Sequence, residues 1–408
     1  MKRVVVTGMA GISPLGTDID QVFANLRARR SAIRAMPEWG EVRGLQTRVA
    51  GMIENFAVPP HYTRKKTRSM GRVALLATRA SELALVDSGL LGSAALSDGS
   101  TGVAYGSAAG SSEAVKTMSS AIMNHTLEGV TATTYVEMMS HTCAVNIGLY
   151  FGLTGRVIPT SSACTSGSQA IGYAYEAIKL GRQKLMVAGG ADALCVSVAA
   201  TFDVLYAAST RNDRPETTPR PFDAARDGLV VAEGAGTLVL EELEHALARG
   251  ARIHAELVGF GTNSDGAHIT NPEPETMRRA MELALEDAGL APAAIGYVNA
   301  HATGTERGDI AEALATHKLF GACMPISSLK SYMGHTMGAS GSLEAYYSIE
   351  MMNRHWFAPT IHLEHVDERC AELDYIVGSG RDLVTDHVMT NNFAFGGINT
   401  SLIFRRWQ

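Results

Sequence analysis

Along the chain, short apolar runs alternate with longer stretches in which apolar residues recur every three or four positions. The short runs predict strands at Arg3–Thr7, Gly102–Tyr105, Lys184–Ala188, Gly236–Leu240, Ala255–Phe260, Ile295–Asn299 and Ser401–Phe404. Helical spacing over Asp18–Ala28 places Ile19, Val22, Phe23 and Leu26 on one side. A second helix is predicted after Arg72 and a third over Thr276–Ala288, where Gly289 stops it. Glu273 and Glu275 suit the partial positive charge at the start of that third helix. Strands interleaved with helices in this way form the α/β pattern.

Two helical stretches are dominated by small residues. One runs from Cys164-Thr165-Ser166-Gly167-Ser168 through Tyr175, and the other from His335 through Gly338-Ala339-Ser340-Gly341-Ser342 to Ala345. Glycine costs helix propensity but permits close approach. Two such helices predict a buried pair in a duplicated fold. The division falls near Arg249–Ala251, giving halves at 1–250 and 251–408. No long linker separates them, so one compact core with a site at the junction is expected.

Composition narrows the class. The 408 residues are 46% apolar and 19% charged, which excludes a disordered chain. With 35 Lys+Arg against 41 Asp+Glu, the net charge of -6 argues against a nucleic-acid surface. The N-terminal residues enter a strand without an apolar signal segment. The charge-poor stretch Val157–Tyr175 is rich in Ser, Thr, Gln and Gly, and no membrane span is predicted. Cysteines at 143, 164, 195, 323 and 370 have no repeated spacing, and their odd number fits reduced thiols in the cytoplasm. Without a CxxC pair or an HExxH motif, no metal site is expected.

The strongest local feature is Val157-Ile158-Pro159-Thr160-Ser161-Ser162-Ala163-Cys164-Thr165-Ser166-Gly167. A strand-like approach gives way to small residues and then to a helix. Cys164 is therefore expected at a helix N-terminus, where free N–H groups and the helix dipole favour thiolate over thiol. The other four cysteines lack this setting. Two histidine motifs accompany it: Asn299-Ala300-His301-Ala302-Thr303-Gly304-Thr305 after a strand, and Ser327-Ser328-Leu329-Lys330-Ser331-Tyr332-Met333-Gly334-His335 before the second glycine-rich helix. A neutral imidazole donates a hydrogen bond to developing charge, accepts a proton, or orients an attacking sulfur. Lys330 adds charge and helps orient the histidines.

In these motifs the chain resembles the condensing enzymes of the thiolase superfamily, and within them the β-ketoacyl-acyl-carrier-protein synthases of the I/II type. The likeness begins at Val4-Val5-Val6-Thr7-Gly8 and Ile12-Ser13-Pro14-Leu15-Gly16. It continues through the cysteine segment, Arg220-Pro221-Phe222-Asp223-Ala224-Ala225-Arg226-Asp227-Gly228 and Glu233-Gly234-Ala235-Gly236. Both histidine motifs and Asn392-Phe393-Ala394-Phe395-Gly396-Gly397-Ile398-Asn399 complete it. The resemblance implies an α/β, thiolase-like duplicated five-layer αβαβα fold. Its N-terminal half would carry the nucleophile and its C-terminal half the histidines. No GxGxxG fingerprint stands in a setting that argues for a dinucleotide.

The resemblance further implies decarboxylative Claisen condensation. Cys164 would accept an acyl group from a carrier-protein thioester. His301 and His335 would then hold malonyl-carrier thioester and stabilise its enolate, with Lys330 as supporting cation and Glu344 organising the site behind them. The N–H groups of Cys164 and Phe395 correspond to an oxyanion hole. Phe395 also matches an acyl gate, beside Ala394 where relatives often have glycine; a positive φ there would restrict the gate. Ala109 falls beside the acyl channel. Thr303, Thr305 and, less directly, Thr270 match contacts to the phosphopantetheine arm. No cofactor is required by the protein, since the carrier brings the phosphopantetheine.

The basic cluster Arg64, Lys65, Lys66 and Arg68 would guide an acidic carrier protein. Dimerisation is implied, with an identical subunit or a chain-length-factor-like one. Glu306-Arg307, where many relatives have Pro-Leu, leaves room for a specialised pathway such as aryl-polyene synthesis beside fatty-acid or type II polyketide elongation. A non-condensing chain-length-factor-like partner is disfavoured by the intact Cys164, His301, His335 and Lys330. A thiolase is disfavoured because that family uses a second cysteine in a different arrangement.

Overall fold

The computed structural model describes residues 1–408. Eleven strands form one continuous sheet: β1 (Val4–Ile12), β2 (Thr101–Gly106), β3 (Val157–Thr160), β4 (Leu185–Asp192), β5 (Gly234–Glu242), β6 (Ala255–Ser264), β7 (Tyr297–Asn299), β8 (Pro325–Ser327), β9 (Asp374–Tyr375), β10 (His387–Ala394) and β11 (Ile398–Arg406). Their order is β9-β8-β7-β10-β11-β6-β1-β5-β4-β2-β3. The junction is a short antiparallel ladder pairing Val4, Val5 and Val6 with Leu257, Glu256 and Ala255.

Outward from that junction the two sides repeat each other. On one, β1-β5 and β5-β4 are antiparallel, whereas β4-β2 and β2-β3 are parallel. On the other, β6-β11 and β11-β10 are antiparallel, whereas β10-β7 and β7-β8 are parallel, with β9 added at the edge. The same order and directions twice in one chain are the mark of a duplicated unit.

Seven helices fill the layers: α1 (Ile19–Arg27), α2 (Arg72–Asp87), α3 (Thr142–Phe151), α4 (Ser166–Lys179), α5 (Pro274–Ala288), α6 (Glu306–Phe320) and α7 (Ser340–Asn353). Strand alternation distributes the apolar side chains between them. Leu185, Val187 and Val239 face α2 and α3, while Met186, Ala188, Leu238 and Leu240 face the central helices α4 and α7. Leu402 and Phe404 reach the same central core from the other half, while Ile403 turns toward α5 and α6. The interior strands are thus buried on both faces, which accounts for the near-continuous apolar runs, while the edge strand β3 stays largely exposed. The resulting order of helix, sheet, paired helices, sheet and helix is the five-layer arrangement of the thiolase-like fold.

The central helices meet at their glycines. A methyl group on Gly167 would stand 2.7 Å from Gly338 O, and one on Gly341 would stand 2.6 Å from Ser168 N. Both distances are far inside van der Waals contact, so only hydrogen fits.

The seven expected strands all form, and most are longer than their apolar runs. Asp18 caps α1 by accepting Gln21 N–H at 2.9 Å, and Gly289 ends α5 with φ +65°. The sequence pattern omits β10 because its Thr390, Asn391 and Asn392 read as polar, although all three are fully buried. It also omits α6, whose buried Asp309 and Glu312 blur the amphipathic signal. No helix is long and apolar enough to cross a membrane.

Candidate active site

Cys164 lies where β3 turns into α4. The chain leaves the strand at Thr160, takes a positive φ of 49° at Ala163, and makes a 3-10 turn over Ala163–Thr165 before α4 begins. Local hydroxyls fix this turn: Thr160 Oγ1 donates to Ser166 O at 2.7 Å, and Ser166 Oγ donates to Ala163 O at 2.7 Å. Cys164 is only 5% exposed, and the N–H groups of Cys164 and Phe395 are directed at its sulfur.

The thiolate expected from the helix terminus does not dominate. Burial pushes the Cys164 thiol from 9 up to about 12, against the opposing pull of Lys330 and the two amides. Such a displacement corresponds to about 4 kcal/mol. A helix terminus contributes about 0.3–1 kcal/mol. Desolvation therefore wins, and the resting group is a thiol.

His335 stands directly on that thiol. Its Nε2 is 2.9 Å from Cys164 Sγ and its Nδ1 is 2.9 Å from Ser340 Oγ. Its backbone is locked to the neighbouring segment, N–H donating to Val230 O at 2.7 Å and carbonyl accepting from Ala232 N at 2.8 Å. The ring of His301 is perpendicular to it, with centroids 5.2 Å apart. Burial, then Lys330 and His335, hold His301 well below the ordinary imidazole range; burial and Lys330 do the same to His335. Both rings are neutral near pH 7.

The loop that carries His301 leaves β7 and is gripped by α6. Glu312 accepts His301 N–H at 2.8 Å and Ala302 N–H at 2.7 Å, and Asp309 accepts Gly304 N–H at 3.1 Å. Burial raises these carboxyls, Glu312 to about 8 and Asp309 to about 6, and the amides oppose the shift. Sequence reasoning assigned neither residue a role; acidic positions on the hidden face of a helix after a histidine loop are the available signal.

Lys330 does not reach the cavity. It is fully buried behind the histidines, where its ammonium pairs with Glu344. Asn392 Nδ2 donates to Glu344 Oε2 at 2.8 Å and lies 3.4 Å from His301 Nδ1. An amide N–H on Nδ1 leaves the His301 proton on Nε2. Asn392 belongs to the glycine-rich gate motif, yet only the folded structure shows that it joins His301 to the buried ion pair.

One cavity of about 470 Å³ brings together Cys164, His301, His335, Thr270, Thr303, Thr305 and Phe395. Thr303 and Thr305 hydroxyls lie 3.0 Å apart, and Thr270 N–H donates to His268 Nδ1 at 3.0 Å on the opposite lip. The Phe395 ring leans on Phe202, with centroids 5.6 Å apart. Its loop is tied down by Gly396 N–H to Ile269 O at 2.8 Å and Asp265 N–H to Gly397 O at 2.7 Å.

The conditional expectation for Ala394 changes. Ala394 is not among the positive-φ residues, so the conditional restriction on the gate does not arise; Gly396 and Gly397 carry that geometry, at φ +91° and +74°. Ala109 is exposed in this chain, and its neighbour Ala108 packs in the apolar cluster around Cys164. The reason is buried Asp192, which accepts from Ser107 Oγ, Ala108 N and Ala109 N and curls the loop so that Ala108 turns inward. The basic residues Arg64, Lys65, Lys66 and Arg68 are exposed on and beside a short helix outside the cavity, with Lys66 Nζ 4.9 Å from the Tyr150 ring centroid.

Donor atoms of Cys164, His301 and His335 lie within 4.8 Å of one another. A Cys-His-His set suits zinc chemically. The Lys330 ammonium, close enough to depress both imidazoles, opposes a second cation there.

Comparison with known proteins identifies the family. Residues 1–246 match the family model described as β-ketoacyl synthase, N-terminal domain, and residues 254–364 match β-ketoacyl synthase, C-terminal domain. A 3-oxoacyl-[acyl-carrier-protein] synthase 1 of Haemophilus influenzae is 36% identical over 411 residues, covering 100% of both chains. The crystal structure of a β-ketoacyl synthase from Burkholderia phymatum is 60% identical with a TM-score of 0.99, covering 100% of both chains. The ishigamide ketosynthase/chain length factor is 30% identical with a TM-score of 0.90, and a type II polyketide ketosynthase solved with its acyl-carrier protein and a hexaketide is 29% identical with a TM-score of 0.88. Each is covered over 100% of both chains. The chain belongs to the β-ketoacyl synthase I/II family of thiolase-like condensing enzymes and carries out β-ketoacyl-carrier-protein condensation chemistry.

Proposed function

We propose that Cys164 is the acyl-accepting nucleophile of a two-stage condensation, and that His301 and His335 divide its proton and enolate chemistry. The observation that carries this reading is the 2.9 Å contact between His335 Nε2 and the Cys164 thiol, inside a cavity shared with His301. Family chemistry runs through the active-site cysteine without a bound cofactor.

In the first stage Cys164 sulfur adds to the acyl thioester carbonyl of a loaded carrier protein. Its proton passes to His335 Nε2 and from there to the departing pantetheine sulfur. The amides of Cys164 and Phe395, both aimed at the sulfur, support an oxyanion hole for the tetrahedral intermediate. In the second stage malonyl thioester loses carbon dioxide, and the electron pair of the broken C–C bond becomes an enolate. The enolate carbon attacks the acyl-cysteine carbonyl, a C–C bond forms, and the cysteine C–S bond breaks; one proton taken up from solvent restores the thiol.

His301, with its proton on Nε2, suits hydrogen bonding to the enolate oxygen. Lys330, fixed by Glu344, biases both rings toward neutrality. Covalent capture makes the second stage a reaction within a positioned complex.

Thr303, Thr305 and Thr270 line the path for the phosphopantetheine arm, and exposed Arg64, Lys65, Lys66 and Arg68 steer the acidic carrier to it. The halves at 1–250 and 251–408 supply nucleophile and histidines respectively. The enzyme acts in the cytoplasm as a dimer, in fatty-acid or type II polyketide elongation.

The test combines purified protein with acyl-loaded carrier and then malonyl-loaded carrier, read by intact mass. Acyl transfer to the protein followed by a two-carbon extension supports the assignment. Absence of both steps across varied acyl donors and partner subunits overturns it, and so does loading that persists in Cys164→Ala.

A further inference from the structure

The internal duplication supplies a control for each residue of the central helices. Ser166 opens α4 and Ser340 opens α7, each after a 3-10 turn whose first residue has positive φ, 49° at Ala163 and 52° at Met337. Ser166 spends its hydroxyl on its own turn, donating to Ala163 O at 2.7 Å and accepting Ser162 N–H at 3.0 Å. Ser340 makes neither bond. Its Oγ lies instead 2.9 Å from His335 Nδ1 and 3.1 Å from Thr336 Oγ1, and Ser340 and Thr336 are both fully buried.

Cys164 sets the direction of this chain of contacts. A thiol at Cys164 donates its proton to His335 Nε2 across the 2.9 Å contact. An accepting Nε2 places the neutral ring's proton on Nδ1, and that proton needs an acceptor in a dry site. Ser340 Oγ is the acceptor within reach, and its own hydroxyl proton then goes to Thr336 Oγ1. His301 is held in the opposite tautomer by Asn392, so the two imidazoles present one acceptor and one donor to the same cavity.

We propose that Ser340, backed by Thr336, is a positioning residue for His335: it accepts the Nδ1 proton and thereby keeps Nε2 free to take the Cys164 proton during acylation. The inference rests on the reading of Cys164 as nucleophile. As sulfur bonds to the acyl carbon, its proton moves to Nε2 and the ring becomes an imidazolium whose Nδ1–H remains on Ser340. As the donor thioester C–S bond breaks, the Nε2 proton leaves on the departing thiol and the original tautomer is restored. No oxidant or further reactant is needed.

Alkylation of Cys164 by iodoacetamide tests the arrangement without any carrier protein. Peptide mapping reads Cys164 separately from half-buried Cys195 and exposed Cys323. Ser340→Ala removes one oxygen and is expected to slow Cys164 alkylation at neutral pH by about tenfold, the effect of one hydrogen bond to a group that becomes charged. It also turns a level pH profile into one that rises with pH, while Ser340→Thr restores the parent profile. Superimposable profiles for the parent and Ser340→Ala overturn the proposal.

A second measurement needs no change at Ser340. In the ¹⁵N-histidine spectrum of the unaltered protein, with the signal assigned by its loss in His335→Gln, His335 is expected to show a protonated Nδ1 and an unprotonated Nε2. The reverse pattern overturns the proposal. If both results come out as expected but no carrier delivers an acyl group, the functional reading fails and the positioning role stands.

Discussion

His335 Nε2 touches the Cys164 thiol at 2.9 Å, and burial moves the two groups in opposite directions, the imidazole below its ordinary range and the thiol up to about 12. A depressed imidazole stays neutral, and so able to accept a proton, at pH values where an ordinary histidine of about 6.5 is already half charged. Acylation of Cys164 is therefore expected to hold level from about pH 8 to about pH 6 and to fall only below the ordinary histidine range. Attack by a free thiolate would instead lose about tenfold per pH unit over the same interval. Single-turnover acylation followed by intact mass separates the two shapes.

The close approach of Gly167 to Gly338 and of Gly341 to Ser168 gives a packing prediction. Alanine at either position drives a methyl group to within 2.7 Å or 2.6 Å of backbone on the facing segment. Overpacking of this kind costs about 1–3 kcal/mol. Gly167→Ala and Gly341→Ala are each expected to lower the thermal midpoint measurably. Gly148→Ala, in α3 with its nearest neighbour 4.0 Å from the added methyl, is expected to be neutral or stabilising. Thermal unfolding of the three variants side by side is the check.

These contacts show what sequence reasoning reaches and where it stops. Cys164 and His301 were legible because each follows a strand end beside small residues, and His335 because it stands just before the second glycine-rich helix. The paired helices were legible from Gly167 and Gly341. What escaped is set by long-range pairing of buried polar groups: Asn392 bonds Glu344 from 48 positions away, and Asp192 bonds Gly338 N–H at 2.6 Å across the two halves. In the linear pattern such residues read as loop or surface. The inward turn of Ala108 rather than Ala109 follows from the same Asp192 and has no local signature.

Lys330 and Glu344 are both fully buried, so removing one partner strands a charge. Lys330→Met is expected to destabilise the fold by about 3–5 kcal/mol, the usual consequence of an unpaired buried ion. Lys330→Met with Glu344→Gln leaves no charge behind, and Gln retains an oxygen for Asn392. The double variant should therefore recover much of that loss while remaining defective in condensation. Denaturant unfolding together with the two-stage mass assay distinguishes stability from chemistry.

The exposed cluster Arg64, Lys65, Lys66 and Arg68 lies outside the cavity, so its contribution is expected in encounter rather than in bond making. Reversing Arg64, Lys65 and Arg68 to Glu should raise KM for acyl-carrier substrate by about tenfold with kcat little changed, and should weaken its dependence on salt. A small acyl thioester that needs no docking should be used equally well by both proteins. Equal effects on the two donors would move the docking surface elsewhere.

The gate loop separates backbone freedom from backbone strain. Ala394 pairs with Ile398 in the β10–β11 ladder and has no positive φ, so Ala394→Gly is expected to leave the acylation rate within about twofold of the parent. Gly396 has φ +91° with open space around it, so Gly396→Ala meets only the left-handed penalty of about 1–2 kcal/mol. Gly397 has φ +74°, and a methyl there would stand 2.8 Å from Asp265 Cβ, beside the Asp265 N–H bond to Gly397 O that steadies the loop. Gly397→Ala should therefore displace the Phe395 amide from the sulfur and cost acylation about 10²–10³-fold, the effect of losing one oxyanion donor. The order parent, Gly396→Ala, Gly397→Ala in burst acylation rate, with Ala394→Gly beside the parent, ties the loop's role to its glycines; a slow Ala394→Gly variant would return it to the alanine.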